Sequence, residues 1–375
     1  MKAGVEILAD AAALRALVPQ WEALAAEAAE PNPFYEHWML LPALEAYGAD
    51  GFRCAAVRLD GTLAGLFPLR AEARWRRLPV RGARSWRHRN MLIGAPLVRA
   101  KTARECWRAL FEARVAPLLE LEWLPADGPL YGALAEAAGE GGHPWVVTDA
   151  YTRALLVRGR DPRGRFNSNM KNNVRRWHAR LAARGEVRAV QLGADGDPAA
   201  WLDEFMRLEA SGWKGKAGTA LACREDDRRF VAAVFPEAFR RGRLLVTGLD
   251  LGGRPLARHC MLAGGEGAFT FKIAYDEAFA DCSPGILADV ENVRWFMESA
   301  GPAWIDSNTA RENTSYGRVW KDRRTVQRLA IGLHGAGRVA VAALPLLRLL
   351  KPSLPWGRKA FREKGRALLA GSGAA

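Results

Sequence analysis

Lys272, His259 and Asp306 each interrupt an apolar run, in FTFKIAY, ARHCML and AWIDS respectively. An ionisable group in such a run is costly unless something bonds it, and groups of this kind concentrate where protons move or charge is held. His259 and Asp306 are therefore the candidate proton acceptors, with a satisfied core histidine and a helix-capping aspartate as the structural alternatives. Lys272 requires a partner, either Asp276 on the same face of its strand or a phosphate. Shortly after, Ser283, Pro284 and Gly285 follow one another as N-cap, first helical position and small residue of a new helix. The unpaired N–H groups of such a start, at the positive end of the helix dipole, favour a phosphate or carboxylate by roughly 0.3–1 kcal/mol for the dipole alone. The alternative is a well-capped helix and nothing more. Upstream, LEASGWKGKAGTA surrounds Trp213 with Lys214, Lys216 and small residues, a composition that lets backbone approach a ligand closely.

The elements that must position these groups follow from periodicity. FTFKIAYDEA alternates as a strand, placing Phe269, Phe271, Ile273 and Tyr275 on one face and Thr270, Lys272 and Asp276 on the other. A helix is predicted from Pro198 to Ser211, and another from Ser283 through Val293 and Phe296 to Gly301. A strand then ends at Asp306, a short helix carries Tyr316 and Trp320, and a final strand runs through Val326 and Leu329. The helix Ser168–Arg184 has an apolar stripe of Met170, Val174, Trp177 and Leu181, flanked by Lys171, Arg175 and His178 on a face that is either phosphate-binding or simply solvated.

With 375 residues, 49% of them hydrophobic, the chain can bury two cores. Five scattered cysteines, with no C-x-x-C pair or histidine cluster, indicate neither a disulfide framework nor a zinc or other metal site. The N-terminus has no apolar leader segment, and no stretch reaches the length of a membrane span, so a cytoplasmic protein is expected. The net charge of +14 is uneven. Between Arg70 and Arg89, eight arginines interleave with Trp75, Trp86 and His88. That cluster reads as a solvent face with inward tryptophans, as a surface for anionic lipid or acidic substrate, or as a nucleic-acid clamp. From Arg338 to Arg366 the tail holds eight basic residues against Glu363, with leucines, Trp356 and Phe361, interrupted by Pro345, Pro352 and Pro355. It is either an interfacial anchor on an anionic membrane surface or a helix docked on the body.

An internal repeat is also visible. VRLDGTLAGLFPL and LDLGGRPLARHCML both read as strand, two-residue glycine turn, strand. Two related α/β (α+β) domains are expected, over residues 1–150 and 151–335, followed by the tail at 336–375.

The spacing of GWKGKAGTA, FKIAYDEAFADCSPG, IDS and VWKDRR resembles the CelD-like branch of the GNAT acyltransferase superfamily. PNPFYEHWMLLPAL, GLFPLR, IGAPLV and FNSNMKNNVRR extend the resemblance over roughly residues 30–332. It implies a tandem of two GNAT-like folds, each a mixed sheet flanked by helices, as in the Fem aminoacyl transferases. It further implies transfer of an acyl group to an amine, with acyl-coenzyme A as a cosubstrate and no permanently bound cofactor. Tyr316 falls on the helix where GNAT enzymes often carry a tyrosine acid, and joins His259, Lys272 and Asp306 as a catalytic candidate. Lys171, Arg175, Trp213, Lys214, Tyr275, Asp276, Ser283 and Gly285 are the donor-binding set. The segment ADCSPG offers one glycine and places Asp281 close to an expected pyrophosphate. The functional expectation is N-acylation of a cell-envelope lipid or amino sugar, on the inner face of the cytoplasmic membrane if the tail anchors there. Transfer from charged tRNA, and a non-catalytic membrane-surface role in polysaccharide assembly, are the alternatives.

Overall fold

The computed structural model describes residues 2–350, with side chains as far as residue 346. Its first half runs β1 (Ala3–Leu8), α1 (Ala11–Ala16), α2 (Val18–Ala26), α3 (His37–Tyr47), β2 (Phe52–Leu59), β3 (Thr62–Glu72), β4 (Gly82–Ser85), β5 (Leu97–Val98), α4 (Ala103–Glu112), β6 (Leu118–Pro125), α5 (Pro129–Glu140) and β7 (Trp145–Val157). The second half runs α6 (Ser168–Ala182), β8 (Val187–Gln191), α7 (Pro198–Ser211), α8 (Trp213–Lys216), α9 (Glu225–Arg240), β9 (Leu244–Leu251), β10 (Arg254–Gly264), β11 (Gly267–Tyr275), α10 (Pro284–Glu298), β12 (Trp304–Asp306), β13 (Asp322–Gly332) and α11 (Gly335–Leu350). The second half repeats the first in kind. Each has a first strand, helices, an antiparallel hairpin, a third strand, a helix, and a strand parallel to the third.

The two hairpins foreseen as a repeat are β2–β3 and β9–β10, turning at Asp60–Gly61 and Gly252–Gly253. All four turn residues have positive φ, between 47° and 81°. That is the requirement of the tight turn that matches strand twist, and it explains glycine in three of the four places.

All the strands join one sheet, in the order β1-β2-β3-β4-β6-β13-β7-β12-β11-β10-β9-β8, with β5 paired to β3. The centre of this order is an exchange. β7, the last strand of the first half, lies beside β12, while β13, from the chain's end, lies beside β6. β7 and β13 then pair antiparallel with each other over most of their lengths. The expected division at residue 150 falls inside β7. A core containing Trp21, Trp107, Phe205, Phe230 and Phe269 runs continuously through both halves.

The first stretch of the tail docks on the body. Val341 of α11 is buried with Trp75, Val80, Leu118 and Ala330, while Val339 and Leu346 remain exposed. Pro345 is accommodated inside the helix. The part of the tail containing Pro352, Pro355, Trp356 and Phe361 lies outside the described residues. In the arginine cluster, Trp75 and Trp86 point inward, and Arg76, Arg84, Arg87 and Arg89 pair with Glu120, Glu72, Glu122 and the Asp226/Asp227 pair. Among the described residues, no helix is long and apolar enough to cross a membrane, and no His, Cys, Asp and Glu group could hold a metal.

Candidate active site

The site is made by two strands that part. β11 and β12 pair in parallel over only three positions, Gly267–Trp304, Ala268–Ile305 and Phe269–Asp306. Beyond them β11 continues to Tyr275 with β10 on one side and, among the described residues, no strand on the other. Asn308 wedges the parting, its Nδ2 donating to the Thr270 carbonyl at 3.1 Å. The opening beyond is a cavity of about 700 Å³, lined by α8, the end of β11, the start of α10 and the segment 310–318. That volume lies in the range of sites that bury a small molecule, roughly 300–1,000 Å³. The corresponding place in the first half is filled. There β4 and β6 pair at two positions and then separate, and Gly94 of the following loop packs directly against the Glu122 carbonyl and Ser85. A Cβ at Gly94 would lie 2.3 Å from that carbonyl oxygen, so only glycine allows the plug.

A bulge decides which side chains of β11 enter the cavity. Thr270 pairs with Met261 and Lys272 with Cys260, leaving Phe271 without an opposite residue. The extra residue reverses the alternation. Ile273 and Tyr275 consequently join Thr270 on the α10 face, opposite His259 and Ala257, instead of sharing a face with Phe269 and Phe271. Lys272 goes to the other face with Cys260 and Phe271. Burial lowers its ammonium pKa, and Glu209 and Asp227 act on it from α7 and α9. The expected Lys272–Asp276 pair does not form. Asp276 instead caps the turn 277–282, accepting from the Ala278 N–H at 2.9 Å.

On the cavity wall, the Tyr316 hydroxyl lies 3.0 Å from His259 Nε2, and Thr270 Oγ1 lies 3.5 Å from the same nitrogen. His259 is fully buried, and burial alone holds its pKa at about 3, so the ring is neutral and does not serve as a proton acceptor near neutral pH. Burial pushes the Tyr316 phenol well above its usual range. The pair is thus a proton-bearing phenol held in place by a neutral imidazole. With the imidazole proton on Nε2, that nitrogen donates to the phenol oxygen and the phenol O–H is free to point into the cavity.

The opposite end of the cavity is the start of α10. Ser283 occupies the N-cap position, but its φ of 48° is left-handed and its hydroxyl makes no capping bond, contrary to the expectation. Ile286 and Leu287 donate to the Ser283 carbonyl, while Pro284 has no N–H. A Cβ at Gly285 would stand 3.0 Å from Tyr275 Cδ1, so glycine keeps the floor open. Trp213, half-exposed, stands at the rim, its backbone N–H donating to Glu277 at 2.5 Å. Lys214 bonds the buried Glu209 at 2.9 Å and the Ile273 carbonyl at 2.7 Å, which ties α8 to β11. Asp281 is held by Arg184 at 2.8 Å, so its charge beside the helix start is compensated.

Trp213, Lys214, Tyr275, Ser283, Gly285 and Tyr316 of the expected site thus meet around one cavity, with His259 directly behind it. Asp306 does not join them. Its carboxylate is fully buried against Arg153, at 2.6 and 2.9 Å, with Arg324 at 3.6 Å, and it also accepts from the Asn308 N–H at 2.8 Å. It holds β12 to β7 and has no freedom to take a proton from a substrate. Lys171 and Arg175 lie on the solvent face of α6. Besides Lys214, which is tied to Glu209, the cations at the cavity are Arg318, on its wall, and Arg165 and Lys321 in an adjoining cleft of about 350 Å³ that shares Ile286 and Arg318 with it. Asp289 is a lining residue that the sequence reading missed. It stands four residues after Gly285, hence on the same helix face, and that spacing was the available signal.

This arrangement, a tandem of parted-sheet folds with one cavity open beside a phenol, is a GNAT-like fold. Residues 168–317 match the family model described as an acetyltransferase (GNAT) domain. Over nearly the whole chain the fold is similar to that of several solved structures. The solved structure of FemX is 10% identical, with a TM-score of 0.53, covering 92% of this chain and 99% of its own. The C-terminal DUF2156 domain of a candidate lysylphosphatidylglycerol synthetase from Agrobacterium fabrum is 12% identical, with a TM-score of 0.51 and coverage of 90% and 96%. A conserved protein of unknown function from Bacteroides thetaiotaomicron is 12% identical, with a TM-score of 0.54 and coverage of 88% and 100%. At these identities the likeness is one of fold. No curated protein matches the chain in sequence.

Proposed function

We propose that the protein transfers an acyl group from acyl-coenzyme A to an amine of a cell-envelope lipid or amino sugar. The observation that carries this reading is the cavity between β11 and α10, with the Tyr316–His259 pair on its wall. A strand edge without a neighbouring strand suits an extended chain bearing amides, such as a pantetheine arm. The start of α10, together with Arg318, Arg165 and Lys321, suits the phosphates. In the reaction the amine lone pair attacks the thioester carbon, the C–N bond forms and the C–S bond breaks. The Tyr316 phenol protonates the departing sulfur and recovers its proton from the nitrogen of the intermediate. His259 positions the phenol and stays neutral. In this reading the amine arrives uncharged, because the buried, neutral His259 does not take its proton.

A second reading, transfer from charged tRNA, is favoured by the likeness to FemX and to the candidate lysylphosphatidylglycerol synthetase domain. Thiol release from acetyl- and long-chain acyl-coenzyme A in the presence of amino lipids and amino sugars separates the two. Turnover of a thioester supports the first reading. Transfer only from aminoacyl-tRNA supports the second, and no transfer from either supports the non-catalytic role. A basic tail meeting anionic lipid would place the acceptor at the membrane surface; vesicle co-sedimentation with and without residues 336–375 tests that.

A further inference from the structure

Asp289 has surroundings that an ordinary aspartate avoids. It lies on α10 with only 4% of its surface exposed, and what remains accessible faces the cavity beside Tyr316, Ser283 and Gly285. Its Oδ1 accepts a hydrogen bond from Trp320 Nε1 at 2.7 Å. Among the described residues it has no ion-pair partner and no second donor. The charged and titratable groups around it are Arg318, Glu312 and Tyr316 on the cavity wall, Lys214 across the cavity and His259 on β10 behind Tyr316, and none of them bonds it. One N–H donor does not offset the desolvation of a carboxylate, which needs several hydrogen bonds or a cation. A carboxylic acid needs only what is present, an acceptor role for its carbonyl oxygen and a free direction for its O–H.

We propose that Asp289 stands in the cavity as a neutral carboxylic acid at physiological pH, and that its O–H is a second hydrogen-bond donor, beside the Tyr316 phenol, to the bound acyl group. Burial raises its pKa well above the usual carboxylate range, which agrees with this geometry. The acid supplies a hydrogen bond and no proton, so it ends the reaction as it began. A neutral donor is effective at an oxyanion because it is fixed before the charge develops. The presence of an acid follows from the side chain's surroundings alone. Its role toward the acyl group rests on the proposed function.

Infrared difference spectroscopy of the whole protein at neutral pH tests the first part without any substrate. The expected result is a carbonyl band of a protonated carboxyl that is absent in Asp289→Asn, which keeps the acceptor for Trp320. In Trp320→Phe the band should persist at higher frequency, because its carbonyl loses the indole donor. If no band differs between wild type and Asp289→Asn, the side chain is ionised and the inference is overturned. Should Asp289→Asn misfold, the presence and frequency of the band in wild type and Trp320→Phe still decide the question. The second part is tested with acetyl-coenzyme A as the probe. Asp289→Asn, which retains an N–H donor, should lose less than about tenfold in kcat, and Asp289→Leu about 10²-fold or more with little change in KM. Wild-type turnover by Asp289→Leu overturns the donor role. A protein that shows the band but transfers no acyl group from any thioester keeps the neutral acid and loses the proposed function.

Discussion

Replacing Tyr316 by phenylalanine isolates the phenol from its packing. The ring remains packed among its neighbours, 4.8 Å from the Trp320 centroid and 5.5 Å from that of His259. What disappears is the oxygen 3.0 Å from His259 Nε2. That nitrogen is then left with Thr270 Oγ1 at 3.5 Å, a poor replacement. An unpaired polar atom in the interior costs about 1–3 kcal/mol, so the variant should remain folded and lose stability in that range. The effect on rate should be larger. A positioned acid contributes about 10²–10⁴-fold, or roughly 3–5 kcal/mol of barrier, and it acts only while the leaving group departs. The loss should therefore fall on kcat with KM changed little. Continuous detection of free coenzyme A thiol with saturating acceptor measures it, and urea denaturation of the same preparation measures the stability change. A variant that loses stability but turns over at the wild-type rate would show that Tyr316 serves the core and that the proton comes from elsewhere.

The ion pair at the sheet centre predicts the opposite balance. Asp306→Asn leaves Arg153 buried without its counter-charge and should cost about 3–5 kcal/mol by urea denaturation; a loss below 1 kcal/mol would refute the structural role given to Asp306. Gly285→Val places atoms against Tyr275 at the cavity floor and should weaken thioester binding by about tenfold or more in calorimetry while leaving the fold intact. Unchanged affinity would mean that the donor lies elsewhere. Burial raises the Glu30 carboxyl to about 7 from an ordinary 4.5, so its contribution is full below 4.5 and is lost as pH rises through 7. At about 1.4 kcal/mol per pH unit, wild type should lose about 3 kcal/mol relative to Glu30→Gln between pH 4.5 and 8, and parallel stability curves would contradict this.

What could be read from the sequence was whatever short-range chemistry dictates. The Asp60–Gly61 and Gly252–Gly253 turns demand positive φ locally. Pro198 opens α7 with Asp197 as its cap. Trp213, Tyr275, Ser283 and Gly285 reach the cavity because they flank the elements that form it. The misplacements share a cause in long-range geometry. Strict alternation put Lys272 in the site, and one extra residue at Phe271 removed it, because a bulge is fixed by the partner strand. Asp306 looked free because its counter-ion, Arg153, is contributed by β7 from the other half of the fold. The exchange of β7 and β13 leaves no local trace, since either strand's pattern fits either sheet position. Asp289 was hidden among the apolar residues of α10, where its spacing from Gly285 acquires meaning only once the cavity is known.

In the proposed function the cavity between β11 and α10 receives an acyl-coenzyme A. Calorimetric titration of the full chain with acetyl- and long-chain acyl-coenzyme A, repeated on Gly285→Val, tests it most directly. Saturable binding with one site per chain, weakened in the variant, is the predicted result. Absence of binding to every thioester, with salt-sensitive binding of charged tRNA in its place, would contradict it.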